Sequence, residues 1–275
     1  MELKIIAADL GFGEGPVWHP DGYLIFSDVS NNRIMKYANG KTEIVLLNSG
    51  YKGEVTEFHN EQIGSNGLAI DRDGNLIMCQ HGNHAIAKLS KNGNWVTLVN
   101  SFNGRRLNSP NDLCIGPKGE IIFTDPPYGL KGQKAMSEIA QPLAGVYRWQ
   151  NNNLELLYSE LEFPNGVCFS PDFKYLYVAT NKPEERGIRR FKYADGMLSE
   201  PEIFVDENAD GMKMDKKGNL YLATMQGIKV ISAEGEVIRK IETPSMATNL
   251  CLHDPYMYIT TENVLYEYFL PNLAL

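Results

Sequence analysis

Short hydrophobic runs alternate with polar turns along the chain, and six of these segments repeat one template. Each opens on a polar residue, continues through a small residue and three strand-like positions, breaks at a polar turn and resumes in a second β-rich run. Glu14-Gly15-Pro16-Val17-Trp18 leads through His19-Pro20-Asp21-Gly22 into Tyr23-Leu24-Ile25-Phe26. Asn66-Gly67-Leu68-Ala69-Ile70 leads through Asp71-Arg72-Asp73-Gly74 into Asn75-Leu76-Ile77-Met78. Asn111-Asp112-Leu113, Asn165-Gly166-Val167 and Asp210-Gly211-Met212 begin the next three copies. The sixth copy is degenerate, and its register is open between Thr248 and Asn249.

Each copy reads as a hairpin, with Pro, Asp and Gly supplying the turn chemistry. The copies start at 14, 66, 111, 165, 210 and 248, so they lie 52, 45, 54, 45 and 38 residues apart. That interval holds about four strands, the spacing of propeller blades at about 40–50 residues. The pattern predicts an all-β, six-bladed β-propeller with four antiparallel strands per blade, one domain over residues 1–275. After the last hairpin only Val264 to Phe269 remains, a single strand, so the sixth blade is one strand short. Leu3-Lys4-Ile5-Ile6-Ala7 is the unassigned β-like run that can complete it and close the ring. Lys134 to Ile139 is the only modest helical candidate, and no Pro/Gly/Ser-rich linker divides the chain.

In a propeller the first strand of each blade lines the central channel, so the residue heading each repeat faces one mouth. Those heads are Glu14, Asn66, Asn111, Asn165, Asp210 and Thr248 or Asn249, and all present oxygens. A ring of hard donors suits a divalent cation such as Ca²⁺, and Glu14 with Asp210 would balance its two charges. No His or Cys heads a repeat, which argues against structural zinc. Asn or Asp before Gly is common at turns, where the side chain satisfies local backbone groups. Six polar heads in equivalent positions outweigh that reading, Glu14 above all, because Glu has no comparable turn preference.

Charge and cysteine content narrow the class. With 26 Lys and Arg against 34 Asp and Glu, the net charge is −8 and no long basic run exists, against nucleic acid or an anionic membrane as partner. No apolar stretch approaches a bilayer span. The N-terminus lacks the charged-then-apolar layout of a secretion signal, so the expected compartment is the cytoplasm. Cys79, Cys114, Cys168 and Cys251 lie far apart in apolar surroundings and read as buried free thiols. Gly11-Phe12-Gly13-Glu14-Gly15 misses the dinucleotide fingerprint, and Asp71-Arg72-Asp73-Gly74-Asn75 is a hairpin turn rather than an EF-hand loop. His81 and His84 follow a strand instead of sharing a helix face; His81 reads as a channel-lining hydrogen-bonder.

Several stretches resemble the gluconolactonase family, which includes regucalcin (senescence marker protein). The most specific are Arg106-Leu107-Asn108-Ser109-Pro110-Asn111-Asp112 and Phe123-Thr124-Asp125-Pro126-Pro127-Tyr128-Gly129-Leu130, similar to the bacterial gluconolactonase branch. Glu14-Gly15-Pro16, Phe26-Ser27-Asp28, Gln80-His81-Gly82, Pro164-Asn165-Gly166 and Asp210-Gly211-Met212 support it, and the resemblance spans almost the full length. It implies hydrolysis of a sugar lactone or related cyclic ester with one divalent metal in the channel: Ca²⁺, with Zn²⁺, Mn²⁺ or Mg²⁺ as alternatives. Glu14, Asn165 and Asp210 correspond to the metal ligands, and Asp210 also to the general base. Asn111 corresponds to the substrate-contacting Asn. Arg106 is the nearest candidate for a substrate Arg, and Asn108, Tyr128 and His81 join the substrate-binding set. Propellers host many functions, so two rivals stand beside this reading. One is a non-enzymatic ligand- or protein-binding propeller with structural Ca²⁺; the other is an esterase or organophosphate hydrolase on the same scaffold.

Overall fold

In the computed structural model, which describes residues 2–131, 140–185 and 187–271, every repeat forms the expected hairpin. Among the described residues the strands gather into six blade sheets of four antiparallel main strands, running consecutively from the axis outward. Blade 1 is Gly13–His19, Tyr23–Asp28, Arg33–Ala38 and Lys41–Leu47; blade 2 is Ser65–Ile70, Leu76–Gln80, Ala85–Leu89 and Trp95–Val99. Blade 3 begins at Leu113–Ile115, blade 4 at Pro164–Phe169 and blade 5 at Met212–Met214. Blade 4 adds a two-residue strand, Met197–Leu198, on its third strand. The helical candidate Lys134 to Ile139 lies outside the described residues. A 3₁₀ turn, Pro183–Glu185, is the helical element described, and no described helix is long and apolar enough to cross a membrane.

Blade 6 is completed by the other end of the chain. Ala247–His253, Tyr256–Thr261 and Leu265–Phe269 supply three strands, and Leu3–Ala7 pairs antiparallel with the last, Leu3 opposite Tyr268 and Ile5 opposite Tyr266. The ring therefore shuts by hydrogen bonding between distant segments, which removes two open sheet edges.

Packing follows the same symmetry, with an apolar cluster between each pair of neighbouring blades. Between blades 6 and 1, Leu24 and Phe26 meet Cys251, Tyr258 and Leu265. Between blades 1 and 2, Ile34 meets Leu68 and Met78. Facing strands contribute Leu, Ile, Val and Phe at alternate positions, the period a strand buried on one face requires. The four cysteines are free; three are buried and Cys114 is half-buried.

At the axis the inner strands approach so closely that a side chain has no room at certain positions. A Cβ on Gly67 would lie 2.7 Å from the Asn111 carbonyl oxygen, and one on Gly211 would lie 2.1 Å from Asn249 Cγ. The glycine after a head residue thus serves blade-to-blade contact, and the Asn-Gly pairs sit in strands rather than turns. Asn66 and Asn165 both fall inside first strands.

Candidate active site

Backbone hydrogen bonds between neighbouring inner strands fix the heads in one ring. Gly67 N–H donates to the Asn111 carbonyl (2.7 Å), Gly166 N–H to Asp210 (2.9 Å) and Gly211 N–H to Thr248 (2.7 Å). That series settles the sixth register: Thr248 is the head, and Asn249 takes the place of Asp112. The side chains agree, because Asp112 Oδ1 accepts from Leu113 N–H and Asn249 Oδ1 from Leu250 N–H, both at 2.9 Å. In blades 1, 2, 4 and 6 the pairing register slips at the head, a bulge that re-aims the side chain. The Thr248 hydroxyl is engaged within the ring, since it donates to the Gly13 carbonyl (2.6 Å) and accepts from the Thr260 hydroxyl (3.0 Å).

The remaining five heads are all buried. Glu14 Oε2 accepts from Gly15 N–H (2.8 Å) and from Asn249 Nδ2 (2.9 Å). Burial, then the nearby Asp210 and Asp112 carboxylates, hold its proton affinity well above the usual range. Asp210 is pushed up to about 7 by burial, against the lowering effect of hydrogen bonds from Asn165 and Asn181; Asp112 raises it further. Asn165 Nδ2 also donates to the Tyr128 hydroxyl (3.3 Å), which shares Asn181 as a partner. The Oδ1 atoms of Asn66 and Asn111 are buried and make no hydrogen bond. Orphaned buried oxygens of this kind call for a guest.

The expected substrate residues divide. Asn165, Asp210 and Tyr128 are joined by hydrogen bonds and charge. His81 is wholly buried, its Nδ1 on the Gln62 carbonyl (3.1 Å) and its Nε2 without a partner; burial drives its pKa down to about 4, leaving a neutral ring. Asn108 supports the loop: its N–H donates to Asp125 Oδ2 (2.8 Å) and its Nδ2 to the carbonyls of Asp125 and Leu143 (both 3.1 Å). Arg106 stands exposed on the short hairpin Ser101–Phe102/Arg105–Arg106, close enough to His84 for its charge to lower that ring's proton affinity.

Two residues that the repeat template did not single out, Asp112 and Asn181, stand beside the heads, together with Asn249, the alternative head of the sixth repeat. Asp112 and Asn249 occupy the position where other blades carry glycine, a departure visible in the sequence. Asn181 lies just beyond the strand Tyr175–Thr180, with no periodic signal to mark it. Lys213 Nζ stands 3.7 Å from Asp112 Oδ2. With all three carboxylates ionised, Glu14, Asp112 and Asp210 against Lys213 would carry two net negative charges, the number a dication balances. Among the described residues no three His, Cys, Asp or Glu side chains converge as a metal cluster. Glu14, Asn165 and Asp210 instead combine two carboxylates with an amide, a hard-oxygen set that fits a divalent cation.

Fold and site together define a six-bladed propeller whose inner strands gather buried carboxylates and amide oxygens. The SMP-30/gluconolactonase/LRE-like model matches residues 12–263, and the chain belongs to that family. It is 30% identical over 260 residues to a gluconolactonase of Zymomonas mobilis, covering 86% of this chain and 71% of that one. It is 23% identical to the pentonolactonase XacC of Haloferax volcanii, over 94% of this chain and 84% of the other. A solved gluconolactonase structure from Xanthomonas campestris superposes with a TM-score of 0.85 at 27% identity, covering 98% of this chain and 89% of that one.

Proposed function

We propose that this protein opens sugar lactones or related cyclic esters at the axial pocket, in a reaction that depends on a divalent cation. As a member of its family it is a lactonase. The observation that supports this location is the gathering of buried Glu14 and Asp210 beside the unpartnered oxygens of Asn66 and Asn111. Glu14, Asn165 and Asp210 would hold the cation, with Ca²⁺ the first choice for an all-oxygen set and Zn²⁺, Mn²⁺ or Mg²⁺ the alternatives. Once bound, a divalent cation supplies Lewis acidity to the lactone carbonyl.

The chain's own groups do the rest. Asp210, steadied by Asn165 and Asn181, takes the proton from the attacking water. Asn111 presents its free carbonyl oxygen to the hydroxyls of the substrate, and the Tyr128 hydroxyl lies on the same side as Asp210. His81, neutral and with a free Nε2, offers one more hydrogen-bonding atom beneath the mouth.

A pH-indicator assay across sugar lactones, simple aliphatic lactones, aryl esters and phosphotriesters tests this. Chelation should abolish lactone turnover and added cation restore it. Asp210→Asn keeps size and one oxygen but should lower turnover about a hundredfold or more. Rescue by excess cation would assign Asp210 as ligand alone; no rescue at full occupancy would assign it as base. Full activity in chelator, or wild-type activity in the variant, would overturn the mechanism. Turnover of aryl esters or phosphotriesters alone would overturn the substrate class.

A further inference from the structure

The mouth of the propeller is lopsided. Over blades 2 and 3 it is walled by long loops that pair with each other: His59 bridges Leu130, and Lys131 N–H donates to the Phe58 carbonyl (2.9 Å). Over blades 5 and 6 the connections are tight, such as the turn from Thr224 to Gly227. There a cavity of about 280 Å³ opens directly against Asp210. Asn181, Asn208 and Asp210 form its polar side; Met225, Met246 and small alanines such as Ala209 form the rest with Thr224, whose hydroxyl donates to the Gly227 carbonyl (2.8 Å). Asn208 is tied by its Nδ2 to the Lys182 carbonyl (3.2 Å), and its Oδ1 is buried without a partner.

A polyol chain placed against thioethers and alanine methyls would lose hydrogen bonds to water and regain few of them. An apolar group loses nothing there. Methionine side chains are flexible and polarizable, so they mould to varied apolar shapes. Met225 is 75% exposed, so it stands on the solvent side, free to fold over a guest. An apolar cavity of about 150 Å³ holds benzene, so this one has room for a phenyl ring or an unbranched chain of several carbons.

We propose that this cavity is an apolar subsite for a substituent on the lactone ring, so that the protein also opens lactones of alkyl- or aryl-substituted hydroxy acids. The proposal rests on the lactone-hydrolysis reading above and extends its substrate class. Asp210 borders both the axial pocket and the cavity, which puts the substituent beside the ester being cleaved.

Two measurements on the cation-loaded protein test it. In the first, kcat/KM is followed along a series of γ-lactones bearing unbranched side chains of increasing length. It should rise about fourfold per methylene, the factor corresponding to about 0.8 kcal/mol per buried CH₂, and level off once the cavity is full. Met225→Glu, at an exposed position where folding is not at stake, should cut the ratio of the pentyl- to the methyl-substituted lactone at least tenfold. The second does not need turnover: with ¹³C-methyl methionine, the ring-opened alkyl hydroxy acid should shift two of the ten methionine signals, those of Met225 and Met246. A flat chain-length series, or unmoved Met225 and Met246 signals, overturns the subsite even if sugar lactones are hydrolysed. Shifted signals without hydrolysis of any lactone uphold the subsite and overturn the hydrolase reading.

Discussion

Glu14→Gln should change stability in opposite directions with and without a cation. The side chain is 2% exposed, and its carboxylate is compensated by two hydrogen bonds, from Gly15 N–H and Asn249 Nδ2. Its pKa is raised by burial and by Asp210 and Asp112, so the folded state disfavours the ionised form. A raised carboxyl pKa means that folding holds the proton, and stability is lost as pH climbs above the unfolded value. At pH 8 in chelator, a neutral glutamine that keeps one acceptor oxygen should therefore stabilise by about 2 kcal/mol, or about 4–8 °C in Tm for a chain of this size. At pH 5 the gain should be smaller, because the raised proton affinity favours the protonated folded wild type as pH falls. With cation at a hundredfold excess over Kd the wild type should gain about 2.7 kcal/mol, or about 5–11 °C. Removing one of the two charged ligands should weaken binding about a hundredfold, so the same cation concentration should give the variant only about 0.4 kcal/mol. Calorimetry at both pH values, with chelator and with Ca²⁺, reads these differences. A variant that is less stable than wild type in chelator at pH 8, yet keeps the full cation shift, would refute a shared carboxylate site.

Two further outcomes follow from buried groups elsewhere. Burial pushes Asp125 up to about 8, so this residue should erode stability as pH climbs from about 4 to about 8. Asp125→Asn should flatten that decline by up to a few kcal/mol, read as the difference in urea midpoint between pH 5 and pH 8; an unaltered profile would mean the carboxyl is solvated. Gly67→Ala would drive a methyl against the Asn111 carbonyl and Asp112 Cα, both backbone atoms 2.7 Å away. It should cost about 2–3 kcal/mol and lower Tm by several degrees, whereas a wild-type melting curve would show that the inner strands have slack.

The blades were legible because each hairpin repeats the same alternation, and the unpaired Val264 to Phe269 run pointed to Leu3–Ala7 as its partner. The heads were legible for the same reason: a repeat puts equivalent residues on equivalent strands. What the template hid was the residue after the head. Gly67 and Gly211 leave space that Asp112 and Asn249 enter from the next blade, a relation between strands that no single segment displays. Asn181 sits beyond a strand end, where side-chain direction depends on loop conformation rather than period. Arg106 falls in an insertion between repeats, where no periodic signal fixes the direction of its side chain. Thr248 matched the template, but its hydroxyl is spent on the Gly13 carbonyl, a contact made only when the ring closes.

The clasp between Leu3–Ala7 and Leu265–Phe269 also sets a clock. Leu3 precedes its partner Tyr268 by 265 positions, so during synthesis at about 5–20 residues per second the inaugural strand waits roughly a quarter of a minute to a minute for a mate. Until then it has no partner strand, and Lys4 in its middle, paired with Glu267 at 2.9 Å in the folded protein, is the kind of charge that discourages stray edge pairing. Glu14 and Asn249 come from the two ends that the clasp unites, so their contact at 2.9 Å forms only after translation has delivered both. The acidic cluster around Glu14 is thus completed only after both segments have been made.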